Sequence, residues 1–297
     1  MIADKVNSDL NKFFNEKKYE LIYAHGISNI GIIREQSGID CLMIRSTRRI
    51  DRKFLSECRI KLIATISRGT DHIDTAFARK RGITIINSES GNSTAAAELT
   101  LGLILNILKN INFSDRLVRK GKFEFYDFPR SELKGKTVGI IGFGRVGSRT
   151  GKLVRAFGAK IISNDIKKSV SEKNRQFNFR NLDYLLKNSD IITVHIPLVK
   201  KNENFIDDEK INKIRKGVIL INTSRGGVID EEALLRNLKS RKIGYAGLDV
   251  FRNEPFIDKR FSGLKNVLLT NHIGGKTPES EKRMLAEIKM KMHDFFS

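Results

Sequence analysis

The chain has 297 residues, with 55 Lys or Arg against 34 Asp or Glu, giving a formal net charge of +21. At roughly 100–200 residues per domain this length predicts two domains, and 40% hydrophobic residues exclude a disordered basic tail. Two cysteines, Cys41 and Cys58, exclude a disulfide framework and a four-thiolate zinc site.

In chain order, short apolar runs at 21–24, 41–44, 62–66 and 83–86 predict strands, with segments of helical character between them. Residues 94–111, opening on Ala95, Ala96, Ala97 and Glu98, predict a long apolar helix, and a polar, aromatic connector spans 119–136. The alternation then restarts. Strands are predicted at 137–141, 160–163, 191–195, 218–221, 245–249 and 267–270, with helices at 145–157, 181–187, 208–214, 231–240 and 278–295. Two βαβ-type halves in series are the layout of a dinucleotide-binding domain in an α/β chain with parallel sheets.

The run T-V-G-I-I-G-F-G-R-V-G at 137–147 places Gly142, Gly144 and Gly147 between a buried-type strand and a helix. Gly142 makes the tight turn, Gly144 lets backbone approach a pyrophosphate, and Gly147 lets helix and strand pack closely. The helix start, with Arg145 and Val146, then offers N–H groups and a partial positive charge to phosphate. Asp165, 18 residues past Gly147, ends the next strand. A carboxylate there bonds a ribose and repels a 2′-phosphate, which favours NAD over NADP; Lys167 and Lys168 could soften that preference.

Ligands of such sheets bind beyond the carboxyl ends of the strands. After the predicted strands at 218–221, 245–249 and 267–270 come Arg225, Glu254 and His272. Arg225 can hold a carboxylate or polarise a carbonyl through a forked pair. His272 can move a hydroxyl proton near neutral pH, and Glu254 can fix its tautomer. This set suits hydride transfer at a 2-oxo or 2-hydroxy acid.

On these motifs the sequence resembles the NAD-dependent D-2-hydroxyacid dehydrogenases over about residues 39–282. E-L-K-G-K-T-V-G-I-I-G-F-G-R-V-G-S looks like their cofactor motif, and N-T-S-R-G-G-V-I-D-E-E-A-L, G-L-D-V-F-R-N-E-P and L-T-N-H-I-G-G look like their catalytic blocks. The resemblance implies a Rossmann-type cofactor domain at 94–274 inserted into a flavodoxin-like, doubly wound substrate domain at 1–93 plus 275–297. It also places His195, Pro197, Thr223, Asp249 and Gly274 along the cofactor cleft, with His195 subordinate to His272. S-R-G-T-D-H-I-D looks like the family's carboxylate-binding loop, implicating Arg68 and Gly69, while G-N-S-T-A-A-A-E-L brings in Asn92 at the crossover. Family members are commonly dimers built on the crossover helix, so a homodimer is expected.

Within the family, R-S-T-R-R-I-D at 45–51 is similar to members acting on phosphorylated acids, which favours 3-phosphoglycerate and implicates Arg45 and Ser46. Arg48 and Arg49 are either further anion ligands or a solvated loop. Erythronate-4-phosphate, hydroxypyruvate and glyoxylate stay open as substrates, as does an NAD(H)-sensing corepressor-like role. The connector at 120–130 lacks the Trp often found in relatives. His25, His72 and His293 show no metal-ligand spacing. No apolar run reaches the roughly 20 residues of a membrane span, and no signal peptide opens the chain, so a cytoplasmic protein with no membrane partner is expected. No helix-turn-helix or RNA-binding motif accompanies the basic charge, so no specific nucleic-acid partner is expected. Long-range attraction of small anions or a compositional habit both fit that charge.

Overall fold

In the computed structural model, which describes residues 1–14, 19–123 and 130–297, the chain divides into two compact units. One comprises Met1–Asn92 with Gly275–Ser297, the other Ser93–Gly274. Within the predicted connector, 124–129 lie outside the described residues.

The first unit has a parallel sheet of β1 (Cys41–Ile44), β2 (Leu62–Thr65) and β3 (Thr84–Asn87) in that order. The strand predicted at 21–24 is reduced to one bridge. Tyr23 pairs with Ile2, and Ile2 pairs in turn with Met43, both in parallel. Counting Ile2 and Tyr23 as vestigial strands, the order is 2-1-3-4-5, that of flavodoxin-like folds. The predicted edge strand is shortened because, among the described residues, Ile2 alone bridges to it. Three six-residue helices, Asn29–Arg34, Arg52–Glu57 and Thr75–Lys80, start at the capping side chains of Ser28, Asp51 and Asp74. The helix Pro278–Phe296 has Thr277 as cap and Pro278 at its first turn. Its Met284, Leu285, Ile288 and Met292 join Leu62, Ala64 and Ile86 in one buried cluster.

The second unit is built on seven parallel strands: β4 (Thr137–Ile141), β5 (Lys160–Asn164), β6 (Asn178–Phe179), β7 (Ile191–Val194), β8 (Val218–Asn222), β9 (Ile243–Leu248) and β10 (Val267–Leu269). Their order, β10-β9-β8-β7-β4-β5-β6, reverses direction between β4 and β7, which makes that point the ligand-binding crevice of a Rossmann sheet. β4, β7 and β8 are almost wholly buried, as strands covered by helices on both faces must be. The helix predicted at 94–111 runs from Ser93 to Lys109 and breaks at Asn110, whose φ is +56°; Ile111–Arg119 forms a second helix. Asn tolerates that left-handed conformation better than most side chains. Gly247 allows the first helix to lie close on β9: a Cβ there would stand 2.8 Å from Ile221 and 3.3 Å from both Leu103 and Ile107.

No single helix among the described residues is long and apolar enough to cross a membrane. The bent pair Ser93–Lys109 and Ile111–Arg119 has the length and composition, but Leu103, Ile104 and Ile107 are spent in the core beside Ile221.

Candidate active site

The turn after β4 shows why each glycine is needed. Gly142 has φ +86°, and a Cβ on it would sit 2.7 Å from Ile196. A Cβ on Gly147 would meet the Gly142 carbonyl oxygen at 2.1 Å, so the helix Arg145–Ala156 can pack on this turn only through glycine. Around Gly144 nothing lies within 4 Å of a built Cβ, and no side chain caps the helix start. Open space over an uncapped helix N-terminus fits a dinucleotide's phosphates. Beyond β5, Asp165 is half-buried. Its two oxygens accept the N–H groups of Phe143 (2.8 Å) and Lys167 (2.9 Å), which ties it to the glycine turn while each oxygen keeps a lone pair.

His195 follows β7 at the sheet's reversal point, its N–H donating to Ile141 O, and Pro197 is exposed beyond it. After β8, Asn222 is 1% exposed and organises the next turn. Its Oδ1 accepts from the N–H and hydroxyl of Ser224, and its Nδ2 donates to the Arg225 carbonyl. Asn222 was not among the expected site residues, although an Asn at a strand end with Ser two residues on is the signal for such a turn. Thr223 shares a 2.8 Å hydroxyl contact with Thr100 of the long helix. Gly226 passes so close under residue 251 that a Cβ would overlap the Phe251 carbonyl carbon at 1.9 Å.

A buried carboxylate controls the loop after β10. Asp249, 1% exposed, accepts from Thr270 Oγ1 (2.7 Å), Ile273 N–H (2.8 Å) and Gly274 N–H (2.8 Å), while its carbonyl takes the His272 N–H. This fixes His272 at φ +55°, a conformation that costs a side-chain-bearing residue free energy and persists where the surroundings over-determine it. In this conformation His272 Nδ1 lies 2.6 Å from Glu254 Oε2, and Glu254 Oε1 accepts the Phe251 N–H. Burial works to raise the Glu254 pKa. The bonds from His272 and Phe251, with the charges of His272 and Arg225, outweigh it and hold the carboxyl below its ordinary value. Arg225, Glu254 and His272, predicted separately from three strand ends, therefore act on one another electrostatically.

The residues expected to bind substrate lie in the first unit, on the loops after β1, β2 and β3. Two expectations need correcting. Arg45 donates through Nη1 to the nearly buried Glu281 at 2.9 Å and to Lys5 O, so this arm of its guanidinium is committed within the fold. Arg48 is neither a solvated residue nor an open anion ligand. It is mostly buried, donating through Nε and Nη2 to Asp4 and through Nη1 to Asn29. Both acids are remote in sequence, which hid the pairs. Ser46, Arg49 and Arg68 are exposed, Gly69 is half-buried, and Asn92 packs against the Gly275 backbone. A cavity of about 450 Å³ in this unit lies instead at the amino end of β1, walled by Ile2, Phe14, Tyr19, Ile39 and Met292.

The sequence profile described as "D-isomer specific 2-hydroxyacid dehydrogenase, NAD binding domain" matches residues 101–274. A hydroxypyruvate reductase of Thermotoga maritima is 35% identical over 296 residues, covering 97% of this chain and 96% of its own length. A D-3-phosphoglycerate dehydrogenase of Methanocaldococcus jannaschii is 35% identical over 95% of this chain, which spans only 54% of that protein. The crystal structure of D-lactate dehydrogenase from Aquifex aeolicus, complexed with NAD and lactic acid, superposes with a TM-score of 0.84 at 30% identity, covering 99% of this chain and 95% of that one. The chain belongs to the D-isomer specific 2-hydroxyacid dehydrogenases, enzymes that use NAD to oxidise or form the CH–OH group of a 2-hydroxy acid.

Proposed function

We propose that this dehydrogenase works on a small, unphosphorylated 2-oxo or 2-hydroxy acid, with Arg225, Glu254 and His272 as its catalytic residues. The reading is carried by the 2.6 Å bond that Glu254 makes to His272 Nδ1 at the end of β10. With Nδ1 held, Nε2 is the nitrogen left to give a proton to the carbonyl oxygen or take one from the hydroxyl. Glu254, kept ionised, favours the protonated imidazole that results when His272 acts as base. Arg225 balances the acid's negative charge and polarises its carbonyl.

Bound NAD supplies or accepts the hydride. Gly142, Gly144, Arg145, Val146 and Gly147 would cradle its phosphates, Asp165 its ribose, and His195, Pro197, Thr223, Asp249 and Gly274 would line its place. In the first unit, Gly69 with Arg68 would take the carboxylate, Ser46 and Asn92 completing that side. The domain roles are a substrate domain at 1–93 plus 275–297 and a cofactor domain at 94–274.

For the acid, the pairing of Arg45 with Glu281 and of Arg48 with Asp4 takes up two of the cations that favoured 3-phosphoglycerate. Hydroxypyruvate and glyoxylate are the preferred substrates on that ground. Initial rates of NADH oxidation with glyoxylate, hydroxypyruvate, pyruvate and phosphohydroxypyruvate test the proposal. A clear preference for the phosphorylated acid overturns the substrate. NADH binding with no reduction of any acid turns the reading toward an NAD(H)-sensing protein.

A homodimer is part of the proposal. The helix Ile111–Arg119 buries none of its residues within the chain and exposes Ile111 and Val118, as expected of a surface covered by a second copy. Light scattering at a single mass of one chain would refute it.

A further inference from the structure

Beneath the loop after β2 runs a chain of hydrogen bonds whose proton order is forced. Ser67 Oγ lies 2.7 Å from the Gly69 carbonyl oxygen. A carbonyl cannot donate, so the single Ser67 hydroxyl proton is spent there. Thr65 Oγ1 lies 2.9 Å from Ser67 Oγ, so Thr65 must be the donor of that pair. Its own proton is then spent as well, and His72 Nε2, 3.0 Å from Thr65 Oγ1, must be protonated and donate. The order is His72 Nε2–H to Thr65, Thr65 to Ser67, and Ser67 to Gly69 O. Thr65 is fully buried and Ser67 nearly so, where a polar atom without a partner is costly.

The chain has a consequence for the loop. The Gly69 carbonyl is drawn toward the buried Ser67 hydroxyl, and in a planar trans peptide the Thr70 N–H must point the opposite way. Asn87 Nδ2 and the Ser88 N–H hold the neighbouring carbonyls of Arg68 and Ser67. Among the described residues the N–H groups of Gly69 and Thr70 find no acceptor, and both residues are half-buried. Two adjacent amides without internal partners, at the carboxyl end of a parallel strand, are an anion-binding arrangement.

We infer that His72, Thr65 and Ser67 are positioning residues that set the peptide planes of this loop for the substrate carboxylate. The inference rests on the loop's proposed role and adds the proton order that makes the role possible. It is tested on the full chain in two ways. In ¹⁵N-histidine NMR, His72 should carry a proton on Nε2. A bare Nε2 with the proton on Nδ1 overturns the relay whatever the enzyme's activity. In kinetics, Thr65→Val and Ser67→Ala, checked for native circular dichroism, should raise KM for the 2-oxo acid by roughly tenfold, about the worth of one hydrogen bond. Turnover and NADH affinity should stay within about twofold on the same scale, and Thr65→Ser should restore KM. An unchanged KM in both Thr65→Val and Ser67→Ala overturns the inference. If the wild-type chain reduces no 2-oxo acid, the proposed function fails, and the histidine spectrum alone decides the relay.

Discussion

The two units use the same kinds of charged side chain in opposite ways. In the second unit, the acids nearest the candidate chemistry act over short stretches of chain. Glu254 takes the Phe251 N–H three residues away, and Asp249 organises the loop after the adjacent strand. Glu254 faces His272 at 2.6 Å. In the first unit, acids close the fold itself. Glu281 on the last helix accepts from Arg45, from the N–H groups of Asn7 and Ser8, and from the Ser8 hydroxyl. Glu287, two turns on, takes the hydroxyls of Ser88 and Ser90 and the N–H groups of Glu89 and Ser90. The contrast shows that a basic residue inside a recognisable motif is not thereby a ligand: its nearest acid decides. Arg225 acts on Glu254 within the candidate site, whereas Arg45 and Arg48 pair with Glu281 and Asp4 inside the first unit.

The sharpest way to break the contrast is at His272. His272→Ala should lower turnover by about 10²–10⁴, the usual worth of general acid–base help, with NADH fluorescence titration unchanged. Near wild-type rates would remove His272 from the chemistry. Next in size, Glu281→Ala should destabilise the protein by about 3–5 kcal/mol, because it strands Arg45 and three other donors at a buried site. Urea unfolding reads this directly, and a loss below about 1 kcal/mol would mean the pair behaves as a surface ion pair. Asp165→Ala should shift the NAD-to-NADP preference by about 10- to 100-fold toward NADP, the range of a lost hydrogen bond to a charged group. An unchanged ratio of kcat/KM values would show that Asp165 serves only the Gly142–Gly147 turn.

The smallest effect concerns acid. Burial works to raise the Glu287 pKa, but the hydroxyls of Ser90 and Ser88 and the N–H groups of Ser90 and Glu89 bring it down from 4.5 to about 2. A depressed carboxyl contributes stability that is full above its unfolded value and is lost as pH falls through the folded one. Residues 88–90 should therefore stay protected from hydrogen exchange at neutral pH and loosen between about pH 4.5 and 2. In Glu287→Gln that pH dependence should vanish; if it persists, another group is responsible. Glu254, also held below its ordinary value, should keep its bond to His272 down through the lower part of the carboxylate range.

Much of the second unit was legible because its signals are local. Buried parallel strands read as continuous apolar runs, so β4 was expected at its observed bounds and β8 within one residue. Gly142, Gly144 and Gly147 stand at a spacing that a single turn enforces, and Arg225, Glu254 and His272 each follow a strand closely. Asn222, Thr100 and the Asp249 hub were harder to read. Asn222 looks like an ordinary strand residue until its turn is seen, and the Thr100 contact spans 123 residues. In the first unit β1 was likewise expected at its observed bounds and β2 and β3 within one residue; less legible were its edge element of a single bridge and its six-residue helices, recognisable mainly by their caps.

By itself, then, the sequence determined the α/β class, the cofactor turn and the three chemical groups at the strand ends, since each depends on neighbours within a few residues. Only the tertiary structure decided which of the 55 basic residues remain available to an anion. Arg45 meets Glu281 across 236 residues and Arg48 meets Asp4 across 44. No local pattern encodes such pairs, because a charge is neutralised by whatever folding brings beside it. The +21 charge is a sum over residues; what each residue can bind is set by its partner in space.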